Sequence, residues 1–76
     1  MNVTIYSTPS CSYCFAAKDF FKEHKIKYKE IDVSKDEKAL DKMIDKSGQI
    51  GVPVIDIDGT IIIGFDRDAI KKALKI

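Results

Sequence analysis

Two apolar runs, Val52 to Asp58 and Thr60 to Ile63, meet at Asp58-Gly59, and that junction constrains the fold more than any other feature of the chain. Asp-Gly between apolar segments suits a two-residue hairpin turn, whose two central positions both need positive φ. The C-terminal half must therefore contain an antiparallel pair of strands. Ahead of it the pattern alternates. Asn2 to Ser7 is β-branched and aromatic and is closed off by Pro9, so it reads as a buried first strand. From Ser12 to about His24 the spacing is helical, with Cys14, Ala17 and Phe21 on one face, Phe20 beside them, and Lys18, Lys22 and Lys25 turned outward.

Lys27 to Val33 gives a second strand through Tyr28, Ile31 and Val33. Ser34 is placed to cap a second helix, from about Lys35 to Lys46, that buries Leu40, Met43 and Ile44 and is stopped by Gly48. Asp66 caps a last helix, from Asp66 or Arg67 to about Leu74, with Ala69, Ile70, Ala73 and Leu74 as its apolar stripe. The order is βαβαββα. A right-handed crossover makes the first two strands parallel neighbours and the hairpin adds an antiparallel pair. The expected architecture is an α/β fold, a four-stranded mixed sheet flanked by three helices.

Seventy-six residues make a single domain, 1–76, near the lower limit for one unaided hydrophobic core. Hydrophobic residues are 45% and charged residues 33%, the balance of a soluble globular protein. The longest apolar stretches, such as Ile61-Ile62-Ile63, are too short to span a bilayer, and the N-terminus lacks a secretory pattern, which points to the cytoplasm. A formal net charge of +1, with both signs mixed along the chain, gives no field to attract nucleic acid. No nucleic acid and no membrane partner is expected, and the chain is expected to be a monomer.

Cys11 and Cys14, the two cysteines of the chain, carry the most chemical information. A bridge across so short a loop would stabilise the fold by only about 2 kcal/mol before ring strain, so bracing is not its purpose. In a reducing compartment such a bond is better suited to opening and closing. The spacing also places the pair at the start of a helix. Cys11 lies at or just before the first turn, where free N–H groups and the helix dipole favour a thiolate. Cys14 lies one turn on, on the buried face, as a protonated reserve. Cys11 would attack a substrate disulfide and Cys14 would resolve the mixed disulfide.

Other readings of the pair are a zinc knuckle and an inert buried pair. Tetrahedral zinc wants four ligands, whereas the chain offers two cysteines and His24, at the far end of the helix, so no metal is expected. His24 reads as a solvent-facing residue near a helix C-terminus. Two further segments stand apart. Pro53, after Gly51-Val52, is either an edge device at a strand start or the site of a cis bond that offers the Val52 backbone to an extended substrate. Gly64-Phe65-Asp66 either ends a strand and caps a helix, or leaves amides free for an anion such as a carboxylate. Tyr13 is a platform for substrate or ordinary amphipathic surface.

The string from Ile5 through Pro9 to Cys14, the stretch Ser47 to Pro53, and Gly64-Phe65-Asp66 together resemble the glutaredoxins and glutaredoxin-like redoxins, across nearly the whole chain. The resemblance implies the minimal thioredoxin fold, a cis Pro53, a nucleophile at Cys11 and a resolving thiol at Cys14. It also implies a substrate groove at Tyr13, Val52 and Asp66, with Thr8, Gly51, Pro53, Gly64 and Phe65 around them. Glutathione-using members usually carry a lysine at Thr8, a threonine at Gly51 and paired glycines at Ile63-Gly64. Loss of a charge-assisted contact to a carboxylate typically costs about 1.5 to 3 kcal/mol. Gly64-Phe65 is instead similar to a segment of the NrdH redoxins. The implied partners are disulfide-containing proteins as substrates and a thioredoxin reductase-type flavoprotein as reductant, with no resident cofactor. The alternatives are a glutathione-dependent glutaredoxin, with glutathione as co-substrate, and a module that holds an iron–sulfur cluster between subunits.

Overall fold

The structure, a computed structural model, describes residues 2–76. The elements are β1 (Val3–Ser7), α1 (Ser12–Glu23), β2 (Lys29–Asp32), α2 (Glu37–Ser47), β3 (Val54–Ile57), β4 (Thr60–Ile63) and α3 (Arg67–Leu74). They form a four-stranded sheet in the order β2-β1-β3-β4. β1 is parallel to β2 and antiparallel to β3, and β4 returns antiparallel to β3. The minimal thioredoxin fold expected from the sequence is the fold observed.

Alternation along the central strand divides the core in two. Val3 and Ile5 point to one face, where Ala17, Phe20 and Phe21 of α1 and Ile70 and Leu74 of α3 pack against Ile55, Ile57 and Ile62. Tyr6 points to the other, with Val33, Ala39, Met43 and Val54. α1 and α3 therefore cover one face and α2 the other. The hairpin turn has positive φ at both Asp58 (50°) and Gly59 (93°), as its residue pair requires.

Several boundaries move, each for a local reason. Ser34 is not the cap of α2: its N–H and hydroxyl both bond to Oδ1 of Asp32, holding it in the turn after β2. Asp36 caps the helix instead, its carboxylate accepting from the Ala39 N–H at 3.1 Å. The buried residues of α2 are Ala39 and Met43, while Leu40 and Ile44 are only half buried. In α3, Ile70 and Leu74 are buried and Ala69 and Ala73 lie at the margin. β3 starts at Val54 rather than Val52, Pro53 having no N–H for the ladder. β2 spans Lys29–Asp32 rather than Lys27 to Val33, although the Val33 N–H still donates to the Ser7 carbonyl at 3.0 Å.

Candidate active site

β1 delivers its C-terminal end to the same side of the sheet as the start of β3 and the end of β4, because Tyr6 is opposite Val54 and Val54 is opposite Ile63. Three loops therefore gather at one end of the sheet. The first leaves Ser7 through Thr8, Pro9 and Ser10, closed by the Cys11 N–H donating to the Thr8 carbonyl at 3.3 Å. Cys11 is the N-cap of α1, with extended backbone (φ −92°, ψ 109°). Its Sγ accepts from the Cys14 N–H at 3.1 Å, a sulfur in the role usually filled by a Ser or Asp oxygen. No acidic residue stands in the first turn of α1 to compete for the helix N-terminus.

The two sulfurs have opposite surroundings. Cys11 is half exposed, whereas Cys14 is fully buried on the sheet side of α1. Burial and then a hydrogen bond to Cys11 push the Cys14 thiol up to about 12, against a smaller downward pull from the Thr8 backbone and the charge of Lys18. At neutral pH Cys14 is a protonated thiol. Both cysteines are free in the structure.

The second loop follows α2. Gly48 closes the helix in the left-handed region (φ 74°), and its N–H donates to the Ile44 carbonyl. The Gln49 side chain then pairs with Gly51 on both sides, accepting from its N–H at 2.6 Å and donating to its carbonyl at 2.9 Å. A side chain at position 51 would meet Gln49 Oε1 at 2.7 Å, so a larger residue there would displace the Gln49 amide. The Val52-Pro53 bond is cis, and Pro53 is buried. The third loop is tied to the second, since the Gly64 N–H donates to the Pro53 carbonyl at 2.8 Å. Asp66 caps α3, its Oδ1 accepting from the Ala69 N–H at 3.1 Å.

The structure brings the loops that carry Thr8, Cys11, Cys14, Val52, Pro53, Gly64 and Asp66 to one end of the sheet. Phe65 is placed differently, its ring edge-on to Phe20 at 6.1 Å and packed against the core. Tyr13 is 67% exposed beside Cys11. Ile50, which the sequence reading passed over, is 73% exposed immediately before Gly51. Its signal was an apolar residue stranded in a polar loop.

Lys18 departs from its expected outward pose. Its side chain is only 15% exposed and lies along the sheet side of α1, where Nζ donates to Glu30 Oε2 of β2 at 2.7 Å. The same Glu30 oxygen accepts from the Ser7 hydroxyl at 3.0 Å. Helical spacing alone turns Lys18 outward. Its partner twelve residues on, in a strand, was not visible from helical spacing.

Residues 3–62 match the family model described as glutaredoxin. The chain belongs to the glutaredoxin family. It is 41% identical over 73 residues to an uncharacterized glutaredoxin-like 8.6 kDa protein in the rubredoxin operon of Clostridium pasteurianum, covering 96% of this chain and 97% of that one. It is 34% identical over 65 residues to glutaredoxin 3 of Escherichia coli, covering 86% of this chain and 78% of that protein. Among solved structures it resembles NrdH-redoxin of Escherichia coli, a glutaredoxin-like protein with a thioredoxin-like activity profile. That match has a TM-score of 0.84 and 25% identity, over 95% of this chain and 93% of that one. As a glutaredoxin the protein is a thiol–disulfide oxidoreductase acting on disulfide substrates. Among the described residues no helix is long and apolar enough to cross a membrane.

Proposed function

We propose that this glutaredoxin is a dithiol electron carrier that reduces protein disulfides through Cys11 and Cys14 and is itself recharged by a flavoprotein of the thioredoxin reductase type. The observation that carries the cycle is the asymmetry of the pair: a half-exposed sulfur at the N-cap of α1 over a fully buried thiol one turn away. Cys11 Sγ attacks one sulfur of the substrate disulfide, and the other sulfur leaves with the bonding electrons and takes up a proton. Cys14 then loses its proton and attacks Cys11 Sγ, forming the Cys11–Cys14 bond and releasing the second substrate sulfur as a thiolate. The substrate disulfide gains two electrons and the cysteine pair loses two. No resident cofactor is needed.

The groove for the substrate is formed by Thr8, Tyr13, Gly51, Val52, Pro53, Gly64 and Asp66, with the Val52 backbone pairing to an extended segment and Phe65 packing instead against Phe20. A protein reductant is favoured over glutathione by the chemistry of that groove. Thr8, Gly51 and Gly64 provide no cation for a glycyl carboxylate, while Tyr13 and Ile50 stand out as exposed apolar anchors suited to a protein face.

Turnover of a protein disulfide is expected to vanish in Cys11→Ser, and Cys14→Ser is expected to accumulate a mixed disulfide detectable by intact mass. Full turnover by Cys11→Ser overturns the cycle. For the reductant, NADPH oxidation is compared with thioredoxin reductase in one assay and with glutathione plus glutathione reductase in another. Faster reduction by glutathione overturns the protein-reductant assignment.

A further inference from the structure

A thiol sealed from water cannot act as a nucleophile until it has ionised, and burial opposes that ionisation. Cys14 must nevertheless ionise in every turn of the proposed cycle. The structure holds one cation on the same face of the same helix. Lys18 follows Cys14 by four residues, which places the two side chains one turn apart on the sheet side of α1. It is fixed there from several directions. Glu30 Oε2 takes its ammonium at 2.7 Å, the Phe15 ring centroid lies 4.5 Å from Nζ, and the Glu30 carboxylate is held in turn by the hydroxyl of Ser7 at 3.0 Å. Ser7 is 1% exposed and ends β1, next to the Thr8 backbone that reaches Cys14.

We infer that Lys18 supplies the positive charge against which Cys14 ionises in the resolving step, and that Glu30 and Ser7 are positioning residues that hold it there. The inference rests on the dithiol reading of the site and adds to it the residues that make the buried thiol usable. The ionisable groups around Cys14 are consistent with it. Cys11 and Lys18 act on Cys14 directly, Cys11 raising its pKa and Lys18 lowering it. Glu30 and Tyr28 act on Lys18, and Asp32 acts on Glu30. In the resolving step the Cys14 S–H bond gives up its proton, the new sulfur–sulfur bond forms to Cys11, and the departing substrate sulfur carries off the electron pair and takes up a proton.

Both chemical steps can be timed in the whole protein with equimolar 5,5′-dithiobis(2-nitrobenzoate). Attack by Cys11 releases one coloured thiolate and attack by Cys14 on the resulting mixed disulfide releases the second. Lys18→Met is expected to leave the first release unchanged, to slow the second severalfold, and to move its pH midpoint upward, since loss of a nearby cation leaves less of the buried thiol ionised. Lys18→Arg is expected to restore most of the second rate. A second release at the wild-type rate and pH midpoint in Lys18→Met overturns the inference. Should Lys18→Met fail to fold, Glu30→Gln decides the matter, with a slowed second release supporting the inference and an unchanged one overturning it. A wild-type protein that never gives the second release removes the dithiol cycle itself, an outcome distinct from a second release that ignores Lys18.

Discussion

Cys11 and Cys14 are three residues apart in the chain and belong to different environments, one at the rim and one under the helix. Brief treatment with iodoacetamide at neutral pH is therefore expected to modify Cys11 and to spare Cys14 until denaturant is added, as peptide mass mapping would show. The thiol of Cys14, pushed up to about 12 chiefly by burial, has almost no reactive form at that pH. Equal labelling of both in the native protein contradicts the assignment of roles. The cysteine asymmetry was legible in the sequence because both residues belong to one helix turn, where spacing fixes the face. Lys18 was not, because its orientation is decided by Glu30 on β2, and helical periodicity carries no information about what a neighbouring strand presents. Gly51 was legible as a special position, but its partner was not. That partner is the Gln49 amide, which bonds to both the N–H and the carbonyl of Gly51.

Among the secondary-structure elements, the helix ends separate what pattern can fix from what it cannot. Gly48 and Asp66 are each the natural end residue at their place, and the structure uses both. At the start of α2, Ser34 and Asp36 are both good caps, and the choice falls to Asp36 because Asp32 engages Ser34. Asp36→Ala is expected to lower stability by about 1 kcal/mol. Ser34→Ala should shift it by less than about 0.5 kcal/mol, as for other surface positions. Urea midpoints of the two variants test this, and a larger loss for Ser34→Ala would assign the cap to Ser34. The sheet order followed from the hairpin and the crossover rule, so it was legible from the sequence.

For the whole molecule, a chain of 76 residues has on the order of 5–10 kcal/mol of net stability to lose. Phe21 is fully buried between the sheet and the Tyr28 ring, 5.4 Å away, so Phe21→Ala is expected to remove about 3–5 kcal/mol and with it much of the fold at 37 °C. Thermal melting followed by circular dichroism checks this. Among the described residues two ion pairs staple helices to the sheet, Lys18–Glu30 from α1 and Lys46–Asp56 from α2. The Lys18 bond, aided by Ser7 and opposed by burial, holds Glu30 below its ordinary value. For Asp56, burial alone would raise the pKa, but the bonds from Lys46 and the Gly59 N–H outweigh it and the net shift is downward. A depressed carboxylate stabilises the fold above its ordinary pKa and loses that contribution as pH falls through the lowered one. Urea midpoints are thus expected to drop as pH falls below about 4, and less steeply in Asp56→Asn; an identical acid slope in that variant argues against the Lys46 staple.

The Asp58-Gly59 turn lies at the opposite end of the sheet from the cysteine loop, because Val3 of β1 is paired with Ile57 while Tyr6 is paired with Val54. Four strand residues at about 3.4 Å each keep the two ends well over a nanometre apart. A fluorophore or surface tether attached at the exposed Thr60 would therefore immobilise the protein with its working end facing outward.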